Sequence, residues 1–240
     1  MKTLRISVLL LAVTLMAASC LKAPSFDPQP KGLSKADIDT ASYTIGVYLA
    51  KMVTNNDIGD LNLAKIVAGY KAAVKDLDDT RFDQDYINDN MSNFSSKRVT
   101  AQSMLNIEAG NKFFEKLDKD PDVVKTESGL RYKIIRPGSD VKPVMDQDTV
   151  TVYYEGTTVD GTVFDTTYSE DSDPEPVSFP LDMVIEGWTE GIKYVGEGGE
   201  IMLYVPATLG YGMYGPMGPE QTLVFKVELL EVKPFQGVAE

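Results

Sequence analysis

The stretch that decides the fold of this chain is Val184-Ile185-Glu186-Gly187-Trp188. It holds the only tryptophan among the 240 residues, next to two aliphatic side chains and a glycine. A lone tryptophan most often fills a core, and these five residues alone do not distinguish a core position from a binding site. The segments on either side favour a binding site over a core position, because aromatic side chains recur both upstream and downstream.

The side chains in these segments are mostly apolar, with a single charge among them. We interpret them as the walls of one pocket with Trp188 at its base. The set contains no nucleophile beside a base, and no carboxylate pair with the spacing of a glycosidase or a metal site. A dry aromatic pocket with few hydrogen-bond donors suits an apolar ring, and proline is the obvious one. The residues are Tyr154, Phe164, Asp165, Val184, Ile185, Trp188, Tyr211 and Phe225.

Composition excludes several kinds of chemistry. The chain has no histidine, which removes Ser-His-Asp and Cys-His catalysis and histidine metal sites. One cysteine excludes an internal disulfide and a cysteine-rich metal site. The net charge of −13 argues against a nucleic-acid partner, because phosphate binding relies on clustered Lys and Arg. We therefore predict no metal, no cofactor and no nucleic acid.

Residues 1–20 are predicted to be a secretory signal. Lys2 and Arg5 precede an apolar run at 6–16, which is too short for a membrane span. Small residues then precede Cys20 and resemble a bacterial lipobox, although Ala17 stands where that motif prefers leucine. We predict lipidation of Cys20 and anchoring to a bacterial membrane, most simply the periplasmic face of the outer membrane. The alternative is an ordinary signal peptide with a chance cysteine.

Residues 21–33 contain three prolines and are predicted to be an extended tether. Residues 34–118 contain no proline and are predicted to be helical. Ser34 and Asp37 are spaced for a capping box at the first helix. A second helix is expected from about Leu61, and a long one from about Phe82 to Leu117, with a break at 93–100 left open. Such helices cannot easily bury their apolar faces alone, so we predict a homodimer through 34–118, with a compact monomeric bundle as the alternative.

Residues 119–240 change in character. Pro121 ends the helical region, and apolar residues then alternate with a period near two. Strands are predicted at 129–136, 149–157, 200–205 and 222–232, with a hairpin turn at 159–161, an acidic loop at 171–176 and one short helix at 186–195. The fold class is therefore α+β, an all-α domain followed by an antiparallel sheet wrapped around one short helix.

Ordered motifs in the second half resemble the FKBP-type peptidyl-prolyl cis–trans isomerases over about residues 128–233. The helical half resembles, more loosely, the dimerisation domain of the Mip-like bacterial members, in residues 41–46 and 112–114. The motifs of the second half are Tyr154-Glu155-Gly156, Asp160-Gly161-Thr162-Val163-Phe164-Asp165, Phe179-Pro180-Leu181, Val184-Ile185-Glu186-Gly187-Trp188, Tyr211-Gly212 and Thr222-Leu223-Val224-Phe225.

The resemblance implies a half-barrel sheet around a short helix, with a substrate proline resting on Trp188. It implies that Tyr154, Phe164, Asp165, Ile185, Trp188, Tyr211 and Phe225 form the catalytic site, and that Val184, Val177 and Met217 contact substrate. The Ile185 backbone N–H and the Tyr211 hydroxyl are the expected donors to substrate carbonyls. The sequence departs from the family at Val177, which replaces a frequent aromatic, and in a short loop at 212–219.

Three functions follow from these observations. The first is a prolyl isomerase that assists protein folding in the cell envelope, acting on proline-containing polypeptides. The second is a chaperone or binding module that holds such segments with little turnover, as Val177 and the short loop favour. The third is a pure dimerisation adaptor, in which residues 34–118 suffice.

Overall fold

A computed structural model describes residues 34–55, 58–59, 61–75, 83–169 and 173–237. The predicted signal segment, Cys20 and the tether lie outside these residues. The chain divides into two compact units, one ending at Ser92 and the other beginning at Asn93. Each is described by itself below.

Three helices lie in the described residues of the N-terminal part of the chain. They are α1 (Lys35–Asn55), α2 (Leu63–Lys75) and α3 (Gln84–Leu117). The predicted capping box of α1 is confirmed: the Ser34 amide donates to Asp37 Oδ2 at 2.8 Å, and the Asp37 amide donates to Ser34 Oγ at 3.2 Å. These reciprocal bonds occupy two amides that a helix start would otherwise leave without an acceptor.

The apolar side chains of α1 and α2 remain accessible in the single chain. Neither helix contains a buried residue. Tyr43 is 76% exposed, Leu63 72% and Tyr70 67%. Within the described residues, these two helices are therefore not buried in a bundle of one chain. The homodimer stays a prediction.

Helix α3 is continuous over its 34 residues, so the break left open at 93–100 does not occur. Its C-terminal half belongs to the unit that begins at Asn93. The reason is packing: Ser103, Asn106, Gly110 and Phe114 are buried there.

A partly buried ion pair fastens the end of α3 to the sheet: the Arg131 side chain is 11% exposed and the Asp118 side chain 39%. Arg131 Nε and Nη2 donate to the two carboxylate oxygens of Asp118, each at 3.0 Å. The guanidinium carbon also lies 4.1 Å from the Phe114 ring centroid. The Asp118 pKa is held low mainly by its hydrogen bond to Arg131.

The second unit contains seven antiparallel strands. They are β1 (Val124–Lys125), β2 (Arg131–Arg136), β3 (Thr149–Thr158), β4 (Val163–Thr166), β5 (Val177–Pro180), β6 (Glu200–Val205) and β7 (Leu223–Lys233). The strand order is β1-β2-β6-β7-β3-β4, and β5 also pairs with β3. The α+β class and the four strands predicted from alternation are therefore confirmed. Strands β1, β4 and β5 were not predicted, because two to four residues are too few for a period-two pattern.

The short helix α4 (Glu186–Gly191) lies directly on the sheet, and a 3₁₀ turn at Ile192–Tyr194 follows it. Two glycines one turn apart permit this close approach. A Cβ atom at Gly187 would lie 2.5 Å from Val205 Cγ1, and one at Gly191 would lie 2.5 Å from Leu203 Cδ2. Around this contact the core is fully enclosed, with no solvent exposure of Leu130, Val150, Val152, Leu181, Ile192, Val195, Ile201, Leu203, Val205, Leu223, Val227 and Leu229.

No helix within the described ranges is long and apolar enough to cross a bilayer.

Candidate active site

Trp188 stands in the first turn of α4 and is 5% exposed. The helix begins after Ile185, whose extended backbone (φ −62°, ψ 147°) ends the preceding segment. The Ile185 carbonyl accepts a hydrogen bond from the Trp188 backbone N–H at 2.9 Å. This bond fixes the position of Trp188 relative to the chain that enters the helix.

Three aromatic rings surround the indole. Tyr154 and Phe225 meet it edge-on, with centroid distances of 5.0 and 5.1 Å and interplanar angles of 85° and 86°. Phe179 is tilted against it at 5.5 Å. Edge-to-face contacts at such distances are the favoured geometry of aromatic pairs, so the neighbouring rings hold the tryptophan in one orientation.

A cavity of about 460 Å³ opens beside these rings. That volume lies within the roughly 300–1,000 Å³ of small-molecule sites. Every residue predicted for the pocket lines this cavity except Phe164 and Met217. The lining residues are Tyr154, Asp165, Val177, Phe179, Met183, Val184, Ile185, Trp188, Tyr211 and Phe225.

Phe164 and Met217 do not line this cavity. The Phe164 ring instead packs edge-on against Phe225, at 5.6 Å and 85°. A Cβ at Gly156 would lie 2.8 Å from each of these two rings, so Phe164 supports the wall from the side of β3. Met217 lies in the loop after Tyr211 and is half-buried there, and its carbonyl accepts a hydrogen bond from Gln221 at 3.3 Å.

Phe179 and Met183 line the cavity although we did not predict them. A usable signal existed for Phe179: Val177 was assigned to the pocket, and residues two apart in a strand face the same side. No comparable signal existed for Met183, which is 76% exposed in a 3₁₀ turn between β5 and α4.

One hydrogen-bonded pair of side chains makes up most of the polar part of the cavity wall. The Tyr154 hydroxyl donates to Asp165 Oδ2 at 2.6 Å. Burial, and next the bond to Asp165, raise the pKa of Tyr154 well above its ordinary value of 10.0. Burial, and next the charge of Asp165, also raise the pKa of Tyr211. Both phenols therefore keep their protons at physiological pH.

Two donors at the cavity are free to bind a ligand. Among the described residues, no acceptor pairs with the Ile185 amide and none with the Tyr211 hydroxyl. The indole N–H of Trp188 also has no hydrogen-bond partner within the described part of the chain, but it is buried away from the solvent. Ile185 and Tyr211, which line the cavity, therefore carry its unpaired donors.

The described ranges contain no group of three or more His, Cys, Asp or Glu side chains that could hold a metal ion. What the cavity offers is apolar ring surface, one carboxylate bound by a phenol, and two free donors.

Family models and known proteins match both halves of the chain. The model of the FKBP-type peptidyl-prolyl cis–trans isomerase matches residues 141–230. The model of the domain amino-terminal to such isomerases matches residues 38–134. The two matches together cover most of both units.

Relatives extend the likeness over nearly the whole chain. The FKBP-type peptidyl-prolyl cis–trans isomerase FkpA of Escherichia coli (strain K12) is 35% identical over 243 residues, covering 93% of this chain and 88% of FkpA. The outer membrane protein MIP of Legionella longbeachae is 35% identical over 207 residues, covering 82% of this chain and 86% of that protein.

A solved structure agrees with the sequence relatives. The crystal structure of FkpA from Escherichia coli superimposes with a TM-score of 0.64 and 33% identity, covering 84% of this chain and 99% of that one. The chain therefore belongs to the family of FKBP-type peptidyl-prolyl cis–trans isomerases.

Proposed function

We propose that this chain catalyses cis–trans isomerisation of peptide bonds preceding proline, and that the proline ring binds over Trp188. The observation that carries the proposal is the cavity in which Tyr154, Phe179 and Phe225 surround one indole, with two unpaired donors on residues that line it. Such a site matches the substrate class of the family, an apolar ring flanked by two backbone carbonyls.

The reaction requires no covalent step. Rotation about a peptide bond meets a barrier of about 18–20 kcal/mol because amide resonance is lost on twisting. The twisted amide has a weaker C=O dipole than the planar one. A water-poor aromatic cavity therefore disfavours the polar planar amide more than the twisted one, and this difference lowers the barrier.

The free donors act on the substrate carbonyls. The Ile185 amide is fixed at the start of α4, and the Tyr211 hydroxyl keeps its proton because its pKa is raised. The Asp165 carboxylate is held by Tyr154 and fixes the polar rim of the cavity. Differential binding of about 4 kcal/mol would give a thousandfold acceleration.

A protease-coupled isomerisation assay on the mature protein tests the proposal. We expect the Trp188→Ala, Asp165→Val double variant to lose most of the wild-type kcat/KM. Tyr211→Phe removes one hydroxyl at a residue that is 44% exposed, so it should lower the rate without unfolding the domain. Ser178→Ala, on an exposed face of β5, is the matched control. Wild-type activity equal to that of the double variant would refute the enzyme proposal.

A binding module with low turnover is the second candidate. Val177 favours it, because this wall residue is aliphatic and 38% exposed where the family often has an aromatic ring. The two candidates are distinguished by measuring both the affinity for a proline-containing peptide and the rate of its isomerisation. A binding module would change its Trp188 fluorescence on adding a proline peptide yet show no acceleration, and Val177→Phe would then restore turnover.

We propose further that residues 119–240 form the isomerase domain and that two copies of the chain pair through residues 34–118 to give a homodimer. We also propose that Cys20 carries a lipid, which anchors the chain in the bacterial envelope. The exposed apolar side chains of α1 and α2 support the dimer. The lipobox-like residues before Cys20 support the anchor, and one relative is named an outer membrane protein. Cys20→Ala should release the protein from membrane fractions, and sedimentation of the mature chain should give twice its monomer mass.

A further inference from the structure

The buried half of α3 contacts the loop that follows Tyr211. Asn106 is 8% exposed and Thr222, at the end of the loop, is 5% exposed. A Cβ atom at Gly110 would lie 2.3 Å from Thr222 Oγ1. The helix and the loop are therefore packed without a gap.

One peptide unit of this loop is bonded on both sides. Asn106 Nδ2 donates to the Pro219 carbonyl at 2.6 Å. The amide on the other side of that same peptide, Glu220 N–H, donates to the Gly212 carbonyl at 2.9 Å. Gly212 directly follows Tyr211, so two hydrogen bonds and the peptide between them join helix α3 to the backbone next to Tyr211.

The backbone at this point is held in an unusual conformation. Glu220 has a φ of 54°, the sole positive φ among described residues other than glycine. Such a conformation costs about 1 kcal/mol or more and persists where neighbouring contacts determine it. The loop also rests on Tyr211, since a Cβ at Gly215 would lie 2.8 Å from Tyr211 Cβ.

Asn106 is itself fixed. Its Oδ1 accepts a hydrogen bond from Gln102 Nε2 at 2.8 Å, one helical turn earlier. The amide is thereby oriented with its NH₂ toward Pro219, because the oxygen is already occupied. A side chain on the helix thus supplies a directed donor to the loop.

We propose that Asn106 is a positioning residue for the isomerase site, acting through the Pro219–Glu220 peptide to fix Tyr211. This role rests on the proposed function, because it requires Tyr211 to contact substrate. It makes α3, which precedes the sheet domain in sequence, part of the support of the active site.

Asn106→Asp tests this role in the full chain. The substitution keeps the size and the acceptor for Gln102 but replaces the donor to Pro219 with an oxygen. We expect kcat/KM for a proline-containing peptide to fall about tenfold, the change that about 1.4 kcal/mol produces. Ser103→Ala is the control, because Ser103 is 7% exposed on the same helix and has no hydrogen bond to the loop in the described part of the chain.

The same substitution in a Tyr211→Phe background separates positioning from general loss of structure. If Asn106 acts through the Tyr211 hydroxyl, its effect there should shrink to less than about twofold. All variants are assayed where Trp188 fluorescence shows them folded. An equal fall in both backgrounds, or an Asn106→Asp rate equal to that of Ser103→Ala, would overturn this role alone. An inactive wild-type chain would instead overturn the proposed function, and this role with it.

Discussion

Replacing Gly187 by alanine should weaken the second unit by pushing α4 away from the sheet. The new methyl carbon would lie 2.5, 3.0 and 3.3 Å from the Cγ1, Cγ2 and Cβ atoms of Val205. Carbon atoms pack best at about 3.5–4.0 Å, so the helix must retreat by roughly 1 Å. Val205 has no solvent exposure and cannot turn aside freely.

The expected cost follows from two opposing effects. Overpacking a well-packed core costs about 1–3 kcal/mol, and three short contacts place this site near the upper end. Alanine favours a helix over glycine by about 1 kcal/mol. The free energy of unfolding should therefore fall by about 2 kcal/mol. With a urea m-value of about 2 kcal/mol/M, the unfolding midpoint should drop by about 1 M.

Trp188 fluorescence measures this transition, because it is the only tryptophan and lies in the core of the second unit. Val205→Ala is the matching change on the sheet and should alone cost about 2 kcal/mol. In the double variant the methyl at position 187 enters the space left by the valine, so the two changes together should cost about 1–2 kcal/mol less than their sum. An unchanged or higher midpoint for Gly187→Ala, or strict additivity, would refute the close contact.

Three further outcomes are expected. Arg131→Met should lower the free energy of unfolding by about 1 kcal/mol in urea titrations, since it removes two charged hydrogen bonds to the Asp118 carboxylate, which water still reaches because that side chain is 39% exposed; a loss well below about 0.5 kcal/mol would show that the pair contributes no more than a fully exposed one. Burial raises the pKa of Asp148, but three backbone N–H donors lower it more, so the net pKa is below its ordinary value of 3.8. The stability that the Asp148 carboxylate contributes is present above pH 3.8 and is lost as pH falls through the folded pKa. Asp148→Asn should therefore flatten the acid side of a curve of stability against pH, and an unaltered curve would contradict this. Because Tyr154 and Tyr211 have raised pKa values and the chain has no histidine, kcat/KM should stay constant from about pH 6 to 9; a fall centred within that range would show that another group titrates.

Much of the second unit was predictable because its signals are local. Val150, Val152 and Tyr154 alternate along β3, and the first two have no exposure while the third packs on the core. The capping box of α1 also lies within four residues. Trp188 and Phe225 were brought together by ordered motifs rather than by periodicity, since 37 positions separate them in the chain.

The rest depends on partners that sequence does not name. Asn106 is a polar residue on a helix, and nothing in its surroundings indicates that its amide bonds Pro219, which is 113 positions away. Phe164 was assigned to the cavity because it is aromatic, but Gly156 leaves room for it against Phe225 instead. In each case a tertiary contact, not a local preference, decides where the side chain lies.

Strand β5 concentrates two cavity residues in a very small element. It spans four residues and, within the described part of the chain, pairs only with the first part of β3, from Thr149 to Val152. The second part of β3 pairs with β4. Val177 lines the cavity from this strand and is 38% exposed, whereas Phe179 also packs its ring 5.5 Å from the buried indole of Trp188. For protein engineering, position 177 is therefore the place to vary: a library confined to it would alter which ligands the cavity accepts, while Phe179 stays to support the indole.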